Sequence, residues 1–355
     1  MLKHIKLENF RNHHKFELDL DKITVIVGKN GIGKTNILES LVILSFCRSF
    51  REEDKRNLIN YDSEFARITG DDLEVFFSRT PRLILRARER GVNRKLSEFI
   101  GLLPSVIFSP ETMSIITGAP AERRRFLDMM ISQIDREYLE DLIRYKKIRT
   151  QRNNLLQRIS HREASESELD FWDVELAKTG ESIIKKRKVV VKTFNKDLNK
   201  YYSEISGKEG DTLVIDFVEN FEGDLLSNMQ RNRAREIAYG GTVFGPHRDD
   251  LIFRLNSFDM SNFASRGEIK SAILALKISE LEYLKNNSKN ERIKSGEQSP
   301  IILLDDIFSE FDPDRRSHLS RLILKYQTVI TATEKEHLSP ELLKVAKVVE
   351  LGEDS

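Results

Sequence analysis

Gly28-Lys29-Asn30-Gly31-Ile32-Gly33-Lys34-Thr35 spells G-x-x-x-x-G-K-[ST], the spacing of a loop that cradles phosphate groups. Its glycines let backbone N–H groups close on phosphate oxygens where a side chain would block them. A helix beginning at the end of the loop adds partial positive charge. Lys34 is then placed to reach the β- and γ-phosphates of a nucleotide, and Thr35 to offer a hydroxyl to Mg²⁺. A second constellation is Ile301-Ile302-Leu303-Leu304-Asp305-Asp306, an apolar run ending in two carboxylates. Such a strand carries its first acid to the rim of a sheet. Asp305 reads as the Mg²⁺-side carboxylate, acting through water, and Asp306 as the group that orients or deprotonates an attacking water.

These groups need a strand, a tight turn and a helix in succession. Ile23-Thr24-Val25-Ile26-Val27 reads as a buried strand, and residues 36–44 carry apolar side chains at helical spacing. Further strands are expected at Leu73-Glu74-Val75-Phe76-Phe77 and Leu83-Ile84-Leu85-Arg86-Ala87, joined as a hairpin, and at Val106-Ile107-Phe108. Ala119-Pro120-Ala121-Glu122 starts a helix, and a second helical run covers about 166–202. Strands return at Pro300-Ile301-Ile302-Leu303-Leu304, Thr328-Val329-Ile330-Thr331-Ala332-Thr333 and Ala346-Lys347-Val348-Val349-Glu350-Leu351. The fold class is α/β. A phosphate-loop ATPase lobe with a mixed sheet is built from residues 1–108 and 240–355, and a mostly α-helical second lobe, 109–239, interrupts it. Residues 286–290 and 294–298 read as a loop.

Composition sets outer bounds. The 355 residues are 39% apolar, with no run near the roughly 20 apolar residues a membrane helix needs. The first residues are charged too early for a secretory signal. Cys47 is the only cysteine, so there is no disulfide framework and no cysteine-based zinc site, which favours a reducing cytoplasm. The histidines are scattered and do not form a structural metal site. A net charge of +1 argues neither for nor against nucleic acid.

Lys34 and Asp305 stand about 270 residues apart, a separation that resembles ABC-type ATPases, where a large insertion divides one sheet. Ala264-Ser265-Arg266-Gly267-Glu268 resembles their S-x-G-[EQ] signature, followed by a helix over 269–284. Ser309-Glu310-Phe311-Asp312 resembles their D-loop. In that type the signature of one subunit caps the γ-phosphate held by another. Read alone, S-R-G-E is also a helix N-cap with an early acid.

The whole chain resembles the RecF family, bacterial ABC-type ATPases of recombinational DNA repair. Asn9-Phe10-Arg11-Asn12, Cys47-Arg48-Ser49-Phe50-Arg51 and Phe108-Ser109-Pro110-Glu111 carry the likeness. So do Glu122-Arg123-Arg124-Arg125-Phe126-Leu127-Asp128 and Gly245-Pro246-His247-Arg248-Asp249-Asp250-Leu251. The resemblance implies that Arg11 and Asn12 sit beside bound ATP, with Gly28 to Thr35 on its phosphates and Thr35 and Asp305 on Mg²⁺. It implies that Lys34 and Asp306 support a slow hydrolysis, and that Ser265, Arg266 and Gly267 act across an ATP-induced homodimer, with Ser309 and Asp312 in the D-loop. The family's mediator partners are RecR and RecO, with which it loads recombinase at single-strand gaps and supports SOS induction; a cytoplasmic, nucleoid-associated protein is implied. Two departures stand out. Ser109-Pro110-Glu111 occupies the region of the Q-loop glutamine, and no switch histidine follows the strand at 328–333, where Thr331 or Thr333 is left to sense phosphate.

Residues 144–162 contain Arg144, Lys146, Lys147, Arg149, Arg152, Arg158 and Arg162 with no acid between them, and Lys185-Lys186-Arg187-Lys188 adds a second cluster. These read as DNA phosphate contacts or as a solvated helix surface. No base-reading module is present, so binding directed by structure or backbone and not by sequence is expected; the resemblance implies gapped duplex or a single-strand/double-strand junction as the DNA partner. The alternatives are an SMC-type chromosome-structural ATPase head, a transporter subunit and a nucleotide switch without turnover. An SMC head inserts hundreds of residues of heptads, against about 130 here.

Overall fold

The computed structural model describes residues 1–288 and 299–352. Residues 286 and 287 close a helix and Ser288 follows it, while the other expected loop residues, 289–290 and 294–298, lie outside the described residues. The chain divides into two compact units. The first comprises Met1–Met113, Glu204–Gly207 and Lys270–Ser355, and the second Ser114–Ser203 and Lys208–Ile269. Among the described residues no helix is long and apolar enough to cross a membrane.

In the first unit the expected strands sort into two sheets. Five parallel strands run in the order Lys347–Glu350, Ile23–Val27, Thr328–Ala332, Ile301–Asp305, Ser105–Phe108. The three central strands are buried at every position, as parallel strands covered on both faces must be. The second sheet is antiparallel, in the order His13–Asp19, His4–Phe10, Phe65–Gly70, Leu73–Ser78, Ile84–Glu89, Val92–Arg94. Phe65–Gly70 and Leu73–Ser78 alternate buried and half-buried residues, the pattern of a sheet covered on one face. Helix Lys34–Phe46 packs on both sheets, touching Ile301–Asp305 and Thr328–Ala332 on one side and Phe65–Gly70 and Leu73–Ser78 on the other. This explains its composition: Ile37, Leu38, Leu41, Val42, Ile43 and Leu44 point around the whole circumference, and all are buried.

The second unit is built on helices Pro120–Ser132 and Arg136–Ser160 and on helix Leu169–Ser206 up to Ser203. It also has a small antiparallel sheet, in which Leu213–Val218 pairs with Asp250–Leu255, and that strand with Phe258–Asp259. Residues 240–269 belong to this unit because their strands complete that sheet.

Three arginines organise its interior. Arg187 donates to Asp128 Oδ1 at 2.8 Å, Tyr138 Oη at 3.0 Å and the Pro246 carbonyl at 2.6 Å, and pairs with Asp249 at 3.3 Å. Arg123 holds Asp250 through two hydrogen bonds of 2.7 and 3.0 Å. The segments at 122–128 and 245–251, far apart in sequence, are therefore neighbours. Arg152 is fully buried and reaches Asp173 at 2.7 Å, Thr242 at 2.9 Å and Glu236. Removing one member of such a cluster leaves uncompensated charge in the interior. Arg152→Ala is expected to destabilise the protein by about 3–5 kcal/mol, read as a lowered urea midpoint; an unchanged midpoint would mean that Asp173 and Glu236 find other donors.

Candidate nucleotide site

Parallel register decides where the chemistry meets. Asp305 lies opposite Thr331, and Ala332 opposite Val27. Gly28, Asp306 and Thr333 therefore all leave the carboxyl edge of one sheet, the edge at which open α/β sheets bind ligands. Ser105–Phe108 ends there too, which brings Pro110 to the same cavity.

The loop is shaped by its glycines. Gly33 has φ 107°, and a Cβ on it would stand 2.7 Å from His13 Nε2 and 2.8 Å from Asn12 Nδ2. Gly33 is the helix N-cap and no side chain caps that end, which leaves the first-turn N–H groups to an anion. Lys34 Nζ curls over the loop and donates to the carbonyls of Gly28 and Lys29, the latter at 2.8 Å. Burial lowers the Lys34 pKa, and the charges of Asp306 and Asp305 oppose that shift.

Thr35 Oγ1 donates to Asp305 Oδ1 at 2.9 Å, bridging 270 residues of sequence. Thr331 Oγ1 donates to the same oxygen at 2.7 Å and accepts from the Asp306 N–H at 3.1 Å. Burial raises the Asp305 carboxyl against the pull of those two hydroxyls, and the nearby Glu111 adds to the rise. Asp306 is held at φ 51°, a conformation costly for a side chain with a Cβ. Its Oδ1 is buried without a hydrogen-bond partner. Thr35, Asp305 and Asp306 thus offer hard oxygens around one cavity of about 330 Å³, lined also by Lys34, Asn36, Arg51 and Thr331. That donor set fits Mg²⁺, which keeps water and phosphate oxygens and needs only one or two protein ligands. Among the described residues there is no cluster of three His, Cys, Asp or Glu to hold a metal without them.

A larger cavity of about 580 Å³ shares Asn36 and Arg51 with the first and is lined by Arg11, Asn12, Asn57, Ile59 and Tyr61. Asn12 is tied to the loop by its Nδ2, which donates to the Ile32 carbonyl at 3.2 Å. Arg11 is oriented by Glu39, to which it donates at 2.8 and 2.9 Å. Arg51 donates to the same carboxylate at 2.9 Å, and Ser49 Oγ also reaches it. Burial alone would raise the Glu39 carboxyl, but these hydrogen bonds outweigh it and hold it below its ordinary value. Glu39 was missed in the sequence. Its signal was an acid inside the apolar run Ile37-Leu38-Glu39-Ser40-Leu41, a place where a charge must be paired.

The other expected site residues have local duties. Ser309 Oγ donates to the Asp306 carbonyl at 2.6 Å, and Asp312 caps helix Pro313–Ile323 by accepting from the Arg315 N–H at 3.0 Å. Ser265, Arg266 and Gly267 begin helix Arg266–Asn287, and Ser265 and Glu268 cap it reciprocally. Of the basic stretch, Lys146 and Lys147 are exposed and Arg149 is half-buried, while Arg144 is exposed and pairs with Glu175. Arg152 is a correction: its guanidinium is spent on Asp173 and Glu236 in the interior, so it presents no charge to DNA. Gly33→Ala is expected to weaken ATP binding about ten-fold, or about 1.4 kcal/mol, because its Cβ would push Asn12 and His13 away from the loop; titration of the folded variant with a fluorescent ATP analogue checks it, and an unchanged affinity would mean that the loop accepts a side chain there.

The RecF/RecN/SMC N terminal domain family matches residues 1–350. The DNA replication and repair protein RecF of Bacillus cereus is 35% identical over 370 aligned residues, covering 98% of this chain and 96% of that protein. A solved structure of the recombination mediator protein RecF with ATP, in the RecFOR pathway, superposes with a TM-score of 0.85 at 30% identity, over 95% of this chain and 93% of that one. An Smc head domain from Pyrococcus furiosus has a TM-score of 0.52 at 15% identity, over 99% and 94%, a likeness of fold alone. A phosphate loop facing an acid-ended strand across a parallel sheet, and kinship along almost the entire length, lead to one conclusion: the chain belongs to the RecF family of DNA replication and repair proteins, with their ABC/SMC-type ATPase fold.

Proposed function

We propose that this protein is an ATP-gated DNA clamp of recombinational repair. The convergence of Lys34, Thr35, Asp305 and Asp306 on one cavity carries the reading, and the ATP held by the solved RecF relative supports it. Lys34 and the loop N–H groups bind the triphosphate, and the neighbouring larger cavity takes the nucleoside. Thr35 and Asp305 would hold Mg²⁺, which would supply charge neutralisation on the nucleotide's phosphates. Asp306 Oδ1, buried and unpartnered, accepts from the attacking water and aligns it for in-line attack, giving ADP and phosphate. Two copies close face to face, the Ser265–Gly267 turn of one copy covering the triphosphate of the second. The closed dimer grips gapped duplex DNA, and slow hydrolysis reopens it. The family's mediators RecR and RecO, recombinase loading, SOS induction and a place with the nucleoid in the cytoplasm belong to the same reading.

DNA contact falls to the exposed side of helix Arg136–Ser160. Lys146, Lys147 and Arg158 are exposed there among Thr150, Gln151, Asn154 and Gln157, a surface of cations and hydrogen-bonding groups. Such contacts bind backbone phosphates without reading sequence.

Light scattering with and without ATP–Mg²⁺ tests the closure: the mass is expected to double only with nucleotide, and a mass indifferent to ATP would overturn the dimer. Asp306→Asn should bind ATP and stay dimeric while turnover drops by about 100-fold or more; turnover near wild type would remove Asp306 from its assigned role. Replacing Lys146 and Lys147 together with Ala should weaken DNA binding alike for all sequences and flatten the salt dependence by a slope of about 2. An unchanged slope would move the DNA surface elsewhere.

A further inference from the structure

The Ser265–Gly267 turn is followed by an acid, and that acid is the wrong charge for a turn that must approach a triphosphate. Glu268 is well anchored. Its Oε2 accepts from the Ser265 N–H and the Ser265 hydroxyl, each at 2.9 Å, while Ser265 Oγ accepts from the Glu268 N–H at 3.3 Å. Its Oε1 takes Lys208 Nζ at 2.8 Å. The Lys208 bond is the largest cause holding the Glu268 carboxyl down at about 2, ahead of the bonds from Ser265. Glu268 is therefore ionised at neutral pH.

Lys208 comes from 60 residues upstream, in the short link between helix Leu169–Ser206 and strand Leu213–Val218. Its ammonium also lies 3.9 Å from Asp211, and its side chain is 55% exposed. An exposed ion pair of this kind adds little to folding stability. Its electrostatic effect on an incoming anion is larger, because like charges brought together at an interface repel strongly. With Glu268 held by Lys208, the exposed Arg266 is the charge that the turn itself presents. There is a second effect. The Ser265 hydroxyl gives its proton to Glu268, and it must turn that proton outward to serve a phosphate oxygen. Lys208 on Oε1 keeps the carboxylate in place while it does so.

We infer that Lys208 is a positioning residue of the signature turn, neutralising Glu268 so that the turn of one copy can meet the nucleotide triphosphate held by a second copy. The inference rests on the face-to-face closure proposed above.

The experiment compares the dimerisation constant in saturating ATP–Mg²⁺, by light scattering over a concentration series, for wild type, Lys208→Met, Lys208→Arg and the double variant Lys208→Met/Glu268→Gln. Lys208→Met is expected to weaken ATP-driven dimerisation at least about ten-fold with ATP binding to the monomer unchanged. Lys208→Arg should stay close to wild type, and the double variant should recover most of the loss, because a neutral Gln needs no counter-charge. A Lys208→Met chain that dimerises like wild type overturns the inference. A loss that Glu268→Gln fails to repair also overturns it, since the role would then be structural. A wild-type chain that ignores ATP removes the closure itself, and the inference with it, and is told apart by the control arm alone.

Discussion

The nucleotide site depends on a helix that has no free side. Lys34–Phe46 is wedged between a parallel and an antiparallel sheet, and its apolar residues fill both contacts. A helix packed this way cannot slide or roll without opening voids on both faces. Its N-terminus is therefore fixed against the carboxyl edge of the parallel sheet. The 2.9 Å bond from Thr35 to Asp305 is a consequence of that packing, and the phosphate loop inherits its precision from the core beneath it.

That arrangement carries an electrostatic cost. Glu39 lies on the wedged helix with no exposed side chain, and a lone buried carboxylate is strongly unfavourable. Arg11 and Arg51 offset it, and each does so while forming a cavity wall. Arg11 comes from the turn joining two strands of the antiparallel sheet, and Arg51 from the segment after the helix. One internal charge thereby orients two cations that line the cavity beside the phosphate loop. Buried ion pairs are poor sources of stability; here the return is geometric.

Much of this was legible in the sequence because the information is local. A glycine loop between an apolar strand and an apolar helix has few other readings, and the strand Ile301–Asp305 announces its carboxyl end by its acids. What local pattern cannot supply is facing. Arg144, Lys146, Lys147, Arg149 and Arg152 look alike in a list, but a helix turns them to different sides, and Arg152 turns inward because Asp173 and Glu236 wait there. Tyr145, in the same stretch, is buried with its hydroxyl on His247. Glu39 shows the converse: an acid in an apolar helix was visible, while its partners, 28 residues before and 12 residues after it, were not. The pairing of Leu213–Val218 with Asp250–Leu255 is non-local in the same way, and no composition of either strand names the other.

The interior of the second unit also bears on how this chain can change over generations. Arg152 serves two carboxylates from different helices and a threonine beyond them. Any single replacement in that cluster strands the others without water, so the first step of an exchange is penalised even when its end point is sound. Positions 152, 173 and 236 should drift together or stay still, as one inherited character and not three. The exposed lysines on the same helix have no such interior partners, and they are free to be exchanged one at a time.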